Sequence, residues 1–473
     1  MKGYMDSRLK YISISLSIMF FLTILSGVNG KITTINQTND TLQLSNAAIK
    51  LPEPISIDAA NKKAGAKNWD WAATQDWCSG SGTLKDPYVI ENVIIDAKYS
   101  QNAINITDSN EVYFEIRNCT LLNAHANGGF FAGIYIRNSS KGEIYDNIFR
   151  GGYYGVNIRW YSHDIRVRDN YFENHTYSSA ACAIYVYYYC TDIHILNNII
   201  TYSNYSCYLY NHATDCIVAN NICSNSTHAS LKFTSSSENN EIYGNVVFDS
   251  QDEGIYLTSA DNLIYGNCFA NNALNGRPFA GSWNTSQYGN WWDDYYGSSS
   301  NGIIGDTPYN IWTTYFDYKP LMNFAPVITQ RPNDMTYVEG TKTPTLTWQV
   351  IDFSTLQATY EVYRNGQLIL SGENWISQDE IEFTTSDLPA GSYTYQIVCD
   401  DGISLSVSDS VTVTATGTED LFGSVLEVLN DYSFLIGSAA ILVGLVVNGV
   451  LKRTRTPETT YERSSKKKKS KRD

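Results

Sequence analysis

The chain has 473 residues and a net charge of −15; 13% of its residues are aromatic, mostly Tyr, and only 17% are charged. Aromatic side chains this frequent exclude a disordered chain, and so few charges exclude a helical bundle built from Glu, Lys and Leu. Residues 452–473 carry +7 and the first ten residues +2, so the body between them holds −24, which repels nucleic acid phosphates.

In chain order, residues 1–30 come first: a basic start, an apolar run from Tyr11 to about Val28, and small residues before Gly30. That is the pattern of a removable signal peptide, with an uncleaved anchor as the alternative. Residues 31–74 read as a linker and cap. Asn-X-Ser/Thr sequons begin at Asn36, Asn39, Asn105, Asn118, Asn138, Asn174, Asn204, Asn225 and Asn284, which fits an outward-facing glycoprotein. The nine cysteines form no CxxC pair, so neither a zinc ribbon nor a dense disulfide framework is indicated.

Residues 75–322 are periodic. An Asn recurs after an apolar residue three positions earlier, at Asn147, Asn170, Asn198, Asn221, Asn245 and Asn267, with Asn118 before and Asn290 after. The intervals are 29, 23, 28, 23, 24, 22 and 23 residues. Alternating segments lie between them, among them Ile134–Ile136, Val156–Ile158, Ile184–Val186, Cys207–Leu209, Leu231–Phe233 and Ile255–Leu257. Several short period-2 segments in about 23 residues suit one coil of a right-handed parallel β-helix; a propeller blade needs about 40 residues or more. The expected fold is all-β, with about 8–10 coils and a stacked ladder of Asn at a left-handed turn. Cys207 and Cys223 fall in apolar columns, as small buried filler.

The segment Gly80–Asn92, with Gly289–Tyr295 and Gly305–Tyr309, resembles the opening and closing segments of the NosD-like β-helix family, a resemblance that covers roughly residues 75–322. It implies the fold. The wider family holds carbohydrate binders, hydrolases, lyases and epimerases. The NosD name also implies copper supply to a reductase, but the repeats contain no Met, so the thioether ligands favoured by Cu(I) are missing.

Residues 323–416 change texture. Strand-like Thr345–Ile351, Thr359–Tyr363 and Ser392–Val398 are separated by turns such as Asn365-Gly366, and Leu388–Tyr393 resembles the tyrosine corner of immunoglobulin-like and fibronectin type III-like sandwiches. After a spacer at 417–432, residues 433–451 are apolar enough to span a bilayer as a transmembrane helix. The basic tail 452–473 then stays in the cytoplasm, so the body is extracellular on a single-pass anchor.

Coil lengths suggest where a ligand sits. From ladder Asn to the next alternating strand takes 9 or 10 residues in regular coils, but 16 after Asn118 and 14 after Asn170. Two long loops two coils apart would flank a notch roughly 10 Å wide at strand spacing. Its walls would carry His125, Asn127, Phe130, Phe131, His175 and Tyr177, and its floor Arg150, Tyr153 and Tyr154. Beside it the outward strand positions are Tyr135 and Arg137, Asn157 and Arg159, Tyr185 and Tyr187, Tyr208 and Tyr210, then Lys232 and Thr234. Exposed tyrosines stack on sugar rings, and the arginines suit acidic glycans, although solvated strand packing accounts for such tyrosines equally well.

Catalysis has thinner support. His163, Asp164, Arg159 and Arg166 form the best group for proton abstraction, whereas Asp164, Asp192, Asp215 and Asp261 form a column with Asn239 and read as turn residues. Asp293, Asp294, Asn301 and Asp306 are the oxygen ligands available for calcium; no other cofactor is expected. The leading expectation is a membrane-anchored surface protein that binds glycans or surface glycoproteins and no nucleic acid. The alternatives are a polysaccharide lyase, epimerase or hydrolase on the same scaffold, and a purely structural or adhesion protein.

Overall fold

The structure is a computed structural model that describes residues 48–98, 101–125, 131–353, 358–403 and 405–417. The expected leader, the expected transmembrane span and the basic tail lie outside them. Among the described residues no helix is long and apolar enough to cross a membrane. The chain forms two compact units, one ending at Phe324 and the other starting at Ala325.

The first unit is the coil stack. Eight complete coils each give one strand to each of three sheets, from Tyr88–Glu91, Val93–Asp96 and Ile104–Thr107 to Leu263–Tyr265, Cys268–Ala270 and Leu274–Pro278. Pairing between successive coils is parallel throughout, so equivalent residues form columns. Leu121, Phe149, Phe172, Ile200, Cys223, Val247, Phe269 and Trp292 make one inward column. Phe149 and Phe172 stack at 4.5 Å. The rings leave so little room that a Cβ on Gly155 would come within 2.5 Å of Phe172 and 2.7 Å of the Ala183 carbonyl oxygen. At the N-terminal end Trp69, on the short helix Trp69–Ala72, stacks on Tyr88 at 4.9 Å and closes the interior. All nine cysteines are free and buried, as expected of apolar filler. Burial pushes the Cys119 and Cys190 thiols up to about 12, away from thiolate chemistry.

The ladder runs from Asn147 to Asn290. Each side-chain Nδ2 donates to the Oδ1 of the next ladder Asn at 2.9–3.0 Å. The same Oδ1 also accepts the backbone N–H of the preceding ladder Asn. The second amide hydrogen goes to a strand carbonyl one coil back, as from Asn221 to Ile195.

Two expectations are corrected. The ladder residues do not hold the left-handed conformation; the residues before them do, at Asp146, Asp169, Asn197, Asn220, Gly244 and Gly266. Asn118 belongs to that turn column, with φ +51, and the first rung is Cys119, whose N–H donates to Asn147 Oδ1. A left-handed turn position needs no burial, whereas a rung must be inside. Asn118 is exposed and Cys119 is buried.

At the other end Asp317 takes the place of the next Asn. Its fully buried carboxylate accepts from the N–H groups of Asn290 and Lys319 and from Trp292 Nε1. Burial pushes this carboxyl above the usual range, against the pull of those donors. A raised folded-state value means stability falls as pH rises from the ordinary Asp range near 4 toward that value. Asp317→Asn removes the titration but turns an amide toward the Lys319 N–H. The variant should therefore melt below the parent near pH 4, with a deficit that narrows toward pH 7. A deficit constant with pH in paired thermal melts would contradict this.

The second unit contains two sheets. Val327–Gln330, Thr345–Ile351 and Glu380–Thr384 form one; Met335–Val338, Ser406–Thr416, Gly391–Asp400, Thr359–Arg364 and Gln367–Asn374 form the other, in that order. Trp348, Tyr395, Ile397 and Val413 are buried in one core. Asn365 and Gly366 both have positive φ, as a two-residue hairpin turn requires. Tyr393 Oη donates to the Pro389 carbonyl at 2.9 Å, the bond of a tyrosine corner. The arrangement is sandwich-like.

Candidate functional site

The third sheet carries the outward columns. Its register aligns Tyr135, Asn157, Tyr185, Tyr208, Lys232, Tyr256 and Arg277 across successive strands. Arg137, Arg159, Tyr187, Tyr210 and Thr234 run beside them. Tyr187 stacks on Tyr210 at 5.5 Å and on Tyr185 at 5.7 Å. The Arg159 guanidinium lies 4.6 Å from the Tyr187 ring centroid. Arg137 is held by Asp108 at 2.8 Å. Parallel pairing sets these rings about one strand spacing apart, roughly 4.8 Å. The result is a half-buried tyrosine strip along the stack.

The notch is filled at its floor. Tyr153 and Tyr154 are buried in a cluster with Ala132, Ala181 and Cys182, and Tyr154 stacks on Tyr185 at 4.9 Å. Burial raises the phenols of Tyr154 and Tyr185, so both stay neutral. The two loops do approach, because His125 of the first stacks on Tyr177 of the second with centroids 3.6 Å apart. His175 is not a wall residue. It points inside, 1% exposed and edge-on to Phe172, and burial lowers it to about 3. Arg150 pairs with Glu173 at 3.1 Å. Asn127 and Phe130 lie outside the described residues. The loop lengths carry no sign of this, because a long apolar loop folds down onto the sheet as readily as it projects. In the same column Asn157 is fully buried with neither amide atom bonded among the described residues, and Arg159 Nε is unbonded too.

Sequence reasoning missed a polar cleft of about 180 Å³ further along the same sheet. Lys232, Tyr256 and Arg277 of the outward column line it with Tyr205, Asp252 and Glu253. Arg277 pairs with buried Glu253 at 2.9 Å. Burial and the adjacent Asp252 carboxyl raise Glu253, against the pull of Arg277. The Lys232 ammonium lies 4.5 Å, 4.6 Å and 5.6 Å from the ring centroids of Tyr205, Tyr208 and Tyr256. Continuing the outward column past Lys232 would have found this site.

The suggested catalytic group does not assemble. His163 and Arg166 lie on His163–Arg168 of the first sheet, whereas Arg159 ends Tyr154–Arg159 of the third. Asp164 sits at a left-handed turn with φ +49 and pairs with Arg166 at 3.5 Å. Asp192, Asp215, Asn239 and Asp261 also have positive φ, as turn residues should. His163 Nδ1 lies 3.3 Å from the Tyr161 carbonyl oxygen. The calcium candidates are occupied by protein donors: Asp293 and Asp294 by Asn275, Asn301 by the Ile303 and Ile304 N–H groups, and Asp306 by Ser300. Among the sequons, the Asn204 amide is buried and donates to the Ser178 carbonyl.

Three parallel sheets wound from eight coils define a right-handed parallel β-helix protein. Residues 91–297 match the family model described as "Periplasmic copper-binding protein (NosD)". Two solved structures of the periplasmic alginate epimerase AlgG, both mutants, are similar at 15% identity. The first has a TM-score of 0.32 and covers 40% of this chain and 48% of its own; the second has 0.34, with 42% and 58%. The chain thus spans about half the length of each. No curated protein sequence matches. Among the described residues no three His, Cys, Asp or Glu side chains are grouped to hold a metal, and the nine cysteines are free and buried.

Proposed function

We propose that this is a glycan-binding protein of the cell surface, anchored by its C-terminal span, whose ligand lies along the outer face of the third sheet. One observation carries this reading: Tyr185 and Tyr208, flanked by Tyr187 and Tyr210, stand in register on adjacent coils as a half-buried strip. Flat rings with hydroxyl edges stack on pyranose faces and bond their hydroxyls. An extended chain of sugar rings advances about one ring per unit, comparable with the strand spacing of roughly 4.8 Å.

The double variant Tyr185→Ala/Tyr208→Ala should bind its best glycan about tenfold more weakly, from about 0.5–1.5 kcal/mol lost per ring. A glycan array followed by titration calorimetry on the full chain measures this. Unchanged affinity in a folded double variant would make the strip ordinary strand packing.

A further inference from the structure

The cleft beyond the strip has a charge pattern the strip lacks. On its acidic side Glu253 is buried against Arg277 at 2.9 Å, with the Asp252 carboxylate beside it. Its basic side keeps unspent donors. Arg277 uses Nη1 on Glu253, while its Nε–H is buried without an acceptor among the described residues. The Lys232 ammonium has three donors and one long bond, 3.4 Å to the Tyr205 hydroxyl. The Glu253 and Asp252 carboxylates of the cleft favour its charged form. An ammonium packed against three rings is partly stripped of water, and burial lowers its pKa accordingly.

We infer that the Lys232–Arg277 cleft is an anion subsite for a charged sugar unit, a uronic carboxylate or a sulfate ester, of a glycan lying along the tyrosine strip. This rests on the glycan-binding reading and adds the chemical class of the ligand. Tyr208 connects the two regions, because it belongs to the strip and its ring lies against the Lys232 ammonium. Cations with unspent N–H groups in a partly dry cleft give charge-assisted bonds to an oxyanion. A neutral sugar offers no such partner. A cationic amino sugar would meet Lys232 as a like charge.

The test uses the full chain on an array of neutral, uronic, sulfated and amino-sugar chains, each in several linkages. Uronic or sulfated chains should bind about tenfold tighter than neutral chains of equal length. That margin should shrink as NaCl is raised, because exposed charge contacts are screened. Lys232→Met keeps the stem against the rings and should remove the margin without weakening neutral binding. Arg277→Lys keeps a charge beside Glu253 but loses the Nε donor, and should reduce the margin while the fold survives. Uronic and sulfated arms that differ identify which oxyanion is bound. Neutral or amino-sugar chains as best ligands, or a margin that Lys232→Met leaves intact, would overturn the inference while the strip reading stands. No binding in any arm would remove both.

Discussion

A chain carrying Asn221→Leu is expected to melt roughly 10 °C below the parent, from a loss of about 3 kcal/mol or more. Asn221 sits mid-ladder and is fully buried. Its Oδ1 accepts both the N–H and the Nδ2 of Asn198, and its amide donates to Ile195, Ala219 and Asn245. Leucine occupies the space but leaves two donors of Asn198 and the carboxamide oxygen of Asn245 short of partners in a dry interior. Each buried polar group left unmade costs about 1–3 kcal/mol, which exceeds the transfer gain of the new methyls. Thermal melts followed by circular dichroism read the change. A melting point within a degree or two of the parent would show that the amides are not holding the coils.

Phe172→Ala should cost about 3–5 kcal/mol, the range for emptying an aromatic site in a packed core. Phe172 is fully buried, stacked on Phe149, and in contact with the edge of His175. Gly155 is shaped around its ring, so the neighbouring backbone has little side-chain mass with which to collapse into the void. The cavity also lies beside the neutral imidazole of His175, which becomes accessible to water. Denaturant melts of variant and parent compare the two directly. A cost below about 1 kcal/mol would mean that the column tolerates gaps.

The coil frame was legible because a β-helix repeats its constraints: a period near 23 residues, an apolar residue three before each Asn, and alternating inward positions were enough to place Cys207 and Cys223 in columns that the register reproduces. Asn118 misled because another Asn is conspicuous in an Asn-rich chain. The apolar-x-x spacing already excluded it, since counting three from Ile116 reaches Cys119. The outward tyrosines were legible for the same reason as the core, since they share the strand period. Loop conformation was not. Nothing local distinguishes a loop that stands as a wall from one whose His175 turns inside. The cleft escaped because its groups come from four coils, and Tyr205, Lys232, Glu253 and Arg277 are each unremarkable alone.

The way the stack ends has a consequence for length control. An array in which every coil offers the same amide and the same strand edges has no internal reason to stop, and an open end of that kind is a template for adding another segment, as in a growing fibre. Each ladder Asn receives hydrogens and passes hydrogens on. Asp317 receives them from Asn290, Trp292 and Lys319. An ionised carboxylate has no hydrogen to pass on. One oxygen in place of an NH₂ group converts a relay into a terminus, so the protein has a finite tip where a periodic sequence alone would leave a seed.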